Sequence, residues 1–254
     1  MRASEARRGE IVRLAKSGGL TSVDELSSLF QVTASTIRRD LDHLTKQGLL
    51  ARTYGGAIAI GSSRHEASVK QRSLEGYEAK RLIAAKAAEY VQPGETVLLD
   101  AGTTVGAMAE YLRHAVDLTI IAAGLTALEA LADADEVHVE CIGGTLRHLS
   151  QGFVGPLAEA SLRRVSFDRA FLGADAVAAD FGICEAGYEQ TQLKELMMER
   201  ATTTYILAHS TKLGQKPFHA WAPIPPGTTL ITDSDAAPEQ IEAFRDSGVE
   251  VVLA

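Results

Sequence analysis

Long apolar runs and cysteines are scarce in this sequence. No apolar run approaches the ~20 residues that a transmembrane helix requires, so we expect no membrane span. The first residues contain no apolar stretch of the kind found in secretory signals, and we expect no such signal. The two cysteines, Cys141 and Cys184, lie far apart without metal-ligand spacing, which indicates reduced residues in or near the core. These absences predict a cytoplasmic protein with no metal site and no cofactor.

Basic residues are concentrated in the first quarter of the chain. The formal net charge of the 254 residues is −8, which by itself disfavours binding to nucleic acid. Residues 1–60 hold 9 Lys and Arg against 6 Asp and Glu, a net charge of +3, whereas the remaining 194 hold 16 against 27, a net charge of −11. Only a basic surface releases counterions from DNA. We therefore expect any contact with DNA to be made by the first quarter.

The first 57 residues predict a small domain of three helices and a β-hairpin. Amphipathic spacing predicts one helix over 5–17, a second whose core side chains are Leu26, Leu29 and Phe30, and a third over 34–47. A tight turn separates the second helix from the third, and residues 49–57 predict a hairpin with glycine at its tip. This order is typical of a winged helix-turn-helix, which we assign to residues 1–57.

The third helix carries the residue types that recognise DNA. At 100° per residue its apolar side chains form one stripe, and its charged side chains fall on the opposite face. A guanidinium bonds bidentately to guanine, so Arg38 or Arg39 is predicted to read a base edge. The predicted DNA-contacting residues are Ser35, Thr36, Arg38, Arg39, Lys46, Arg52 and Tyr54. The charged face alone also fits a solvated surface, but the preceding short helix and the following hairpin favour DNA.

The rest of the chain predicts a doubly wound α/β domain over 77–254. Residues 58–76 are polar and mixed in charge, which indicates a linker before a helix over 77–91. The predicted strands cover 96–100, 118–122, 137–142, 169–173, 204–208, 228–232 and 250–253. Because most of them are followed by a helical pattern, we expect a mainly parallel sheet with helices on both faces.

Several predicted strands end in residues that suit a small, anionic and hydroxylated ligand. Ligands of parallel sheets bind at the carboxyl ends of strands, and the amide groups at a helix N-terminus attract anions. The predicted ligand-binding residues are Asp100, Gly102, Thr103, Thr104, Gly143, Gly144, Arg147, Asp175, Glu185 and Lys212. Among them, Lys212 is predicted to be the charge partner of a phosphate.

Structural alternatives exist for many of these assignments. The two threonines after Gly102 fit equally well as the cap of the following helix. Arg147, and Lys194 as a further candidate cation, fit side chains that face solvent. Asp175 and Glu185 fit carboxylates of surface loops.

Two stretches of the first domain resemble the signature of the DeoR family of bacterial transcriptional regulators. The chain reads Phe30-Gln31-Val32-Thr33-Ala34-Ser35-Thr36-Ile37-Arg38-Arg39-Asp40-Leu41 and then Gly48-Leu49-Leu50-Ala51-Arg52-Thr53-Tyr54-Gly55-Gly56-Ala57. Serine is usual in the family at Thr33 and histidine is common at Tyr54. The resemblance covers nearly the whole chain. It implies a sensor domain that resembles ribose-5-phosphate isomerase and recognises phosphorylated sugars or related metabolites.

Two positions of the second domain depart from the family pattern. The family often has Thr-Asn after its second strand, where this chain reads Ala122-Ala123-Gly124, and it commonly has an aspartate three residues before the lysine, where this chain has His209. Both changes remove polar groups from the implied ligand site, and they leave the identity of the effector open.

Three functions fit these observations. The leading one is a homo-oligomeric repressor (dimer or tetramer) of carbohydrate-metabolism genes, whose binding to double-stranded operator DNA is modulated by a phosphorylated sugar. The second is a sugar-phosphate isomerase with Asp100, Asp175 or Glu185 as its catalytic base. No motif in the sequence requires an isomerase, and this function would leave the basic first domain unexplained. The third is a second domain that has lost its ligand and serves as an oligomerisation platform. We expect a regulator with no catalytic residues.

Overall fold

The computed structural model describes residues 2–18, 21–46, 50–53, 56–59 and 66–254. The chain divides into two units, Met1–Glu75 and Gly76–Ala254. The first is built from helices α1 (Arg2–Gly18), α2 (Val23–Phe30), α3 (Ala34–Lys46) and α4 (Val69–Arg72) and strands β1 (Thr21–Ser22), β2 (Leu50–Thr53) and β3 (Gly56–Ala59). The predicted three helices and hairpin are present. Strand β1, which was not predicted, completes an antiparallel sheet in the order β1-β3-β2.

Local hydrogen bonds set the ends of α2 and the turn before α3. The Ser22 hydroxyl accepts a hydrogen bond from the amide of Glu25, and the Glu25 carboxylate accepts one from the amide of Ser22. Gln31 ends α2 in the left-handed conformation, with a φ of 51°. The amide of Thr36 then donates to the carbonyl of Thr33 at 2.9 Å, which starts α3. These bonds produce the tight turn that the sequence predicts.

The core of the first unit is a small apolar cluster between the helices. Its buried members are Ile11, Val23, Leu26, Ile37, Leu41 and Leu44. Leu29, which the sequence placed in this core, is 60% exposed, so that prediction is wrong. At 100° per residue Leu29 lies about 90° from the mean direction of Val23, Leu26 and Phe30, which turns it away from the core.

The second unit contains six helices, a short 3-10 turn at Ser210–Lys212, and twelve strands. The helices are α5 (Tyr77–Ala88), α6 (Thr103–Tyr111), α7 (Leu125–Leu131), α8 (Pro156–Leu162), α9 (Tyr188–Arg200) and α10 (Pro238–Asp246). The first six strands are β4 (Thr96–Leu99), β5 (Leu118–Ala122), β6 (Val137–Cys141), β7 (Thr145–Arg147), β8 (Gly152–Val154) and β9 (Phe167–Leu172). The others are β10 (Ala176–Ala178), β11 (Gly182–Glu185), β12 (Ala201–Leu207), β13 (Ala220–Ala222), β14 (Thr229–Thr232) and β15 (Glu250–Leu253).

Seven of these strands form one parallel sheet in the order β15-β14-β12-β9-β4-β5-β6. They are the seven strands that the sequence predicts, so the predicted fold class is confirmed. The chain fills one side of the sheet from β4 to β6, returns to β9 beside β4, and then fills the other side. The strand order therefore reverses between β4 and β9. In doubly wound sheets, ligands bind at the carboxyl ends of the strands that flank such a reversal.

Helices cover both faces of the parallel sheet, as predicted. Leu98 of β4 belongs to a core cluster that includes residues of α8, α9 and α10. Its neighbours Val97 and Leu99 belong to a second cluster with residues of α5, α6 and α7. Because successive side chains of a strand point to opposite faces, β4 contributes to both clusters.

Two small antiparallel sheets interrupt the alternation of strands and helices. One has the order β10-β11-β13, and the other is the hairpin β7-β8. Their strands are only three or four residues long and lie outside the alternation of strand and helix from which the parallel strands were predicted, so the sequence did not predict them. The hairpin folds onto the end of β5, where the Phe153 amide donates to the Ala123 carbonyl at 2.9 Å and the Leu125 amide donates to the Gln151 carbonyl at 2.8 Å.

The two cysteines lie in different environments. Cys184 is buried, as predicted, and burial raises the pKa of its thiol to about 11. Cys141 is exposed at the end of β6, so its predicted place in or near the core is wrong; β6 is an edge strand. Within the described ranges, no helix is long and apolar enough to cross a bilayer.

Leu26 and Leu29 provide a matched pair of substitutions on α2. Leu26→Ala is expected to destabilise the protein by about 2–5 kcal/mol, because it leaves a cavity among buried neighbours. Leu29→Ala is expected to change the free energy of unfolding by less than about 0.5 kcal/mol, because the side chain is exposed. Urea denaturation of the full chain, followed by far-UV circular dichroism, measures both changes. Equal losses in the two variants would contradict the packing of α2.

Candidate functional site

The outer face of α3 presents residues that the sequence predicts to contact DNA. Ser35, Arg38 and Arg39 are exposed, and Thr36 is half-buried. The hydroxyl oxygens of Thr36 and Thr33 lie 3.0 Å apart in a hydrogen bond at the start of the helix. The side chains of Lys46 and Arg52, and Tyr54 as a whole, lie outside the described part of the chain.

Asp40 of α3 has a role that the sequence prediction missed. Its buried carboxylate binds two guanidiniums of α1: Oδ2 accepts from Arg7 Nε at 2.7 Å and Oδ1 accepts from Arg8 Nε at 2.8 Å. This double ion pair holds α1 against α3. The sequence signal for this ion pair was available. It consists of an aspartate beside the apolar stripe of α3 and two consecutive arginines on an earlier helix.

In the second unit, Asp100 joins the loops that follow β4 and β9. Its Oδ1 accepts from the amide of Ala101 at 2.7 Å, and its Oδ2 accepts from the amide of Gly173 at 3.1 Å. Asp100 therefore lies at the reversal of strand order, at the carboxyl end of β4, where its position in the sequence predicts it. The carboxylate fixes the spacing of the two loops.

Lys194 of α9 completes a buried charge cluster at this point. Its ammonium donates to Asp100 Oδ2 and, at 2.9 Å, to the carbonyl of Gly173, and it lies 3.2 Å from Glu185 Oε1. Lys194 is 5% exposed, so its alternative assignment as a solvent-facing cation is wrong. Glu185 is also buried, so its alternative assignment as a surface carboxylate is wrong as well. Both lie inside the domain because α9 packs across the sheet.

Burial controls the ionisation of this cluster. Removal from water is the largest influence on Glu185 and raises the pKa of its carboxyl to about 8; the attraction of Lys194 opposes the rise, and the charges of Asp175 and Asp100 add to it. Burial lowers the pKa of Lys194, but the attraction of the Asp100 and Glu185 carboxylates outweighs this and raises it overall. The cluster therefore holds the ammonium of Lys194 firmly and ionises Glu185 less readily than a carboxyl in water.

Gln190 extends the cluster along α9. Its Nε2 donates to Glu185 Oε2 at 2.9 Å. Its Oε1 is buried and has no hydrogen-bond partner among the described residues. The sequence did not single out Gln190; its place on the first turn of α9, five residues after Glu185, was the available signal. Within the described ranges, no group of three or more His, Cys, Asp or Glu is arranged to hold a metal ion.

Helix α6 starts directly above the reversal of strand order. Its N-cap is Gly102, with a φ of 132°, and no side chain caps the helix. The alternative assignment of Thr103 or Thr104 as the cap is therefore wrong. Thr103 is half-buried and Thr104 is buried. Because the first amide groups of a helix lack intrahelical partners, this end can accept an anion.

Gly143, Gly144 and Arg147 belong to the segment between β6 and β8. They follow β6, which is separated from β4 by β5. The hairpin β7-β8 folds back toward Ala101, and its strand β7 places Arg147 opposite Gly152. A Cβ on Gly152 would lie 2.9 Å from Ala101 Cβ, so Gly152 must be glycine for the loops to approach. The sequence did not predict this approach, because it depends on how the hairpin folds back.

The loop after β12 brings Lys212 to the end of β9. Its ammonium donates to the carbonyl of Ala174 at 2.5 Å, next to the half-buried Asp175. His209, one of the two departures from the family pattern, has its Nδ1 2.9 Å from the Thr211 hydroxyl. Asp233, which follows β14, anchors this loop. Its carboxylate accepts hydrogen bonds from the amide and the hydroxyl of Ser210, each at 2.7 Å.

The buried carboxyl of Glu185 predicts a pH-dependent stability. Its pKa rises on folding from 4.5 to about 8, so between these values the folded protein holds a proton that the unfolded chain releases. Stability is therefore lost as pH rises through this window, by at most about 1.4 kcal/mol per pH unit. The stability advantage of the wild type over Glu185→Gln, which cannot ionise, is expected to shrink from pH 5 to pH 8.

Fluorescence of Trp221, the single tryptophan, follows unfolding of the second unit in this experiment. Glu189→Gln is the matched control, because Glu189 is an exposed glutamate on the first turn of α9, four residues after the buried Glu185. Its difference from the wild type is expected to stay constant across the pH range. A constant difference for Glu185→Gln as well would mean that the Glu185 carboxyl is ionised throughout.

Known protein families match both units. The "DeoR-like helix-turn-helix domain" matches residues 7–63, and the "DeoR C terminal sensor domain" matches residues 75–234. HTH-type transcriptional regulator GlpR of Haloferax volcanii is 34% identical, over 97% of this chain and 96% of its own. The lactose phosphotransferase system repressor of Staphylococcus aureus is 30% identical, over 97% of this chain and 98% of its own.

Among solved structures, ribose 5-phosphate isomerase A from Methanocaldococcus jannaschii is similar over 54% of this chain and 55% of its own, with a TM-score of 0.41 and 16% identity. A likeness of this size carries no inference about activity. The full-length relatives are transcriptional regulators, so the isomerase hypothesis is wrong. The chain belongs to the DeoR family and is a DNA-binding transcriptional regulator, not an enzyme.

Proposed function

We propose that this regulator represses genes of carbohydrate metabolism, and that a phosphorylated sugar bound at the carboxyl edge of the parallel sheet changes its affinity for operator DNA. One observation carries the proposal: the uncapped N-terminus of α6 starts at the reversal of strand order, beside the buried pair of Asp100 and Lys194. An anion is favoured at such a helix end. Repression of a sugar-related system is in the printed name of one relative, the lactose phosphotransferase system repressor.

In this proposal α3 enters the major groove of the operator. Arg38 and Arg39 are adjacent and exposed, so they diverge by about 100° and reach a base edge and the neighbouring backbone. Ser35 and Thr36, at the start of the helix, meet a phosphate. Lys46, Arg52 and Tyr54 add contacts from the end of the helix and from the wing.

The proposed ligand site divides its tasks between neighbouring loops. The phosphate binds the amide groups of Gly102, Thr103 and Thr104, with Lys212 as its charge partner. Asp175 and Asp100 Oδ1, which keeps one acceptor position beyond its bond to the Ala101 amide, take sugar hydroxyls. The buried Glu185 forms the inner limit of the site. Its outer limit is formed by Gly143, Gly144 and Arg147.

The proposed organisation assigns DNA reading to residues 1–57, a linker to 58–76, and sensing and oligomerisation to 77–254. Regulators that read repeated half-sites do so as symmetric oligomers, so we propose a homo-oligomer. Its place of action is the cytoplasm, where bacterial operators are found. The effector acts by binding one arrangement of the oligomer more tightly than the other.

The proposal predicts separate effects of two substitutions. Arg38→Ala is expected to weaken specific DNA binding about 5- to 150-fold, the equivalent of 1–3 kcal/mol for one base contact. Lys212→Ala is expected to leave DNA affinity unchanged and to abolish the response to a phosphorylated sugar. Titration of the full chain onto its own upstream DNA, with and without a panel of sugar phosphates at one salt concentration, measures both.

Lys216→Ala is the control for Lys212→Ala, because Lys216 is an exposed lysine of the same unit paired with Asp180 at 2.6 Å. It is expected to respond to the effector like the wild type. If no sugar phosphate alters DNA binding, the second unit acts as an oligomerisation platform and the sensing proposal fails. If Arg38→Ala binds the operator as tightly as the wild type, α3 is not the reading helix.

A further inference from the structure

The double ion pair on Asp40 leaves more positive charge than the carboxylate needs. One buried carboxylate requires one cation to offset its charge, yet both Arg7 and Arg8 bind it. Each guanidinium uses Nε for this bond, at 2.7 and 2.8 Å, so the terminal Nη groups of both lie outside the pair of hydrogen bonds to Asp40. The arrangement thus has a surplus charge of +1.

Both arginines are accessible although their partner is not. The Arg7 and Arg8 side chains are 17% and 29% exposed, whereas the Asp40 side chain is 4% exposed. Burying all three groups would leave one positive charge without a counter-charge, which favours contact of the arginines with solvent. Guanidiniums anchored on one side and open to solvent on the other have the form of a preorganised anion site, because the cost of ordering the side chains is met before a ligand arrives.

The position of Asp40 on α3 places this pair beside the DNA-facing surface. Asp40 follows Arg39 directly, and its neighbours one turn away are Thr36 and His43. Thr36 is half-buried and His43 is exposed, so this side of α3 is the border between the core and the outer face. Arg7 and Arg8 meet α3 at that border. A cation placed there flanks the groove that the outer face of α3 enters.

We propose that Arg7 and Arg8 form a second DNA contact, a clamp for one backbone phosphate at the edge of the groove, and that Asp40 is its positioning residue. The inference rests on the proposed reading of DNA by α3. A phosphate is the fitting ligand because guanidinium forks bind its oxygens bidentately. Such a contact fixes the register of the helix on the duplex and reads no base.

Salt dependence tests the contact directly. Arg8→Gln is expected to make the slope of log K against log salt concentration less negative by about 0.9, the value for one lost phosphate contact. Its affinity is expected to fall by the same factor on operator and on unrelated duplex, because phosphates are present in both. Fluorescence anisotropy at four or more salt concentrations, with the full chain, gives both numbers.

Arg13→Gln is the matched control. Arg13 lies on the same helix, is 64% exposed and is paired with Glu10, so the substitution removes the same charge from a site away from Asp40. Its salt slope is expected to equal that of the wild type. An unchanged slope for Arg8→Gln, or an equal change in both variants, overturns the proposal. If Arg38→Ala still loses specific binding in that case, only the clamp fails and the reading helix stands.

Asp40→Asn tests positioning, because it keeps both arginines and adds one unit of positive charge to the DNA-binding unit. General electrostatics predicts tighter binding to DNA, whereas loss of positioning predicts weaker specific binding. We expect weaker binding, with partial recovery in Asp40→Glu. Binding by folded Asp40→Asn that equals or exceeds the wild type overturns the role of Asp40. Should this variant unfold, Arg8→Gln still decides on the clamp, because Arg7 continues to pair with Asp40.

Discussion

One buried positive charge organises the carboxyl edge of the parallel sheet. The ammonium of Lys194 is bound by Asp100 after β4, by the carbonyl of Gly173 after β9, and by Glu185 at the end of β11. An ammonium withdrawn from water is tolerated only when it is paired and hydrogen-bonded, so displacing any of these segments from α9 would leave a buried charge without its partners. That requirement holds the loops at the reversal of strand order at one spacing, on which the proposed effector site depends.

The first unit uses a buried charge of the opposite sign for a similar purpose. Asp40 is enclosed, and Arg7 and Arg8 of α1 must approach it to offset its charge, which aligns α1 with α3. In both units the apolar core provides most of the stability, while a buried ion pair selects one relative position of the elements. The two ion pairs differ in their access to solvent. Lys194 is enclosed with its partners, whereas Arg7 and Arg8 are accessible to solvent.

Predictions from periodicity were accurate where an element was long enough to show a period. All seven strands of the parallel sheet and helices α1, α2 and α3 of the first unit were found from their apolar spacing, whereas the four-residue α4 was not. The three-residue strands β7, β8, β10 and β13 were missed for lack of such a period. Leu29 was misplaced because it lies at the edge of the apolar arc of α2, where neighbouring helices decide burial.

The sequence by itself determined the fold class, the helix-turn-helix and the candidate residues at the strand ends. These depend on local spacing and on the rule that parallel strands present their carboxyl ends at one edge. Only the tertiary structure decided that Lys194 is buried against Asp100, 94 residues away, and that Arg7 meets Asp40, 33 residues away. The physical reason is that the residues next to a charged side chain in the sequence are the same whether that side chain is solvated or paired with a distant residue. Only the path of the folded chain shows which distant residues come close enough to pair with it.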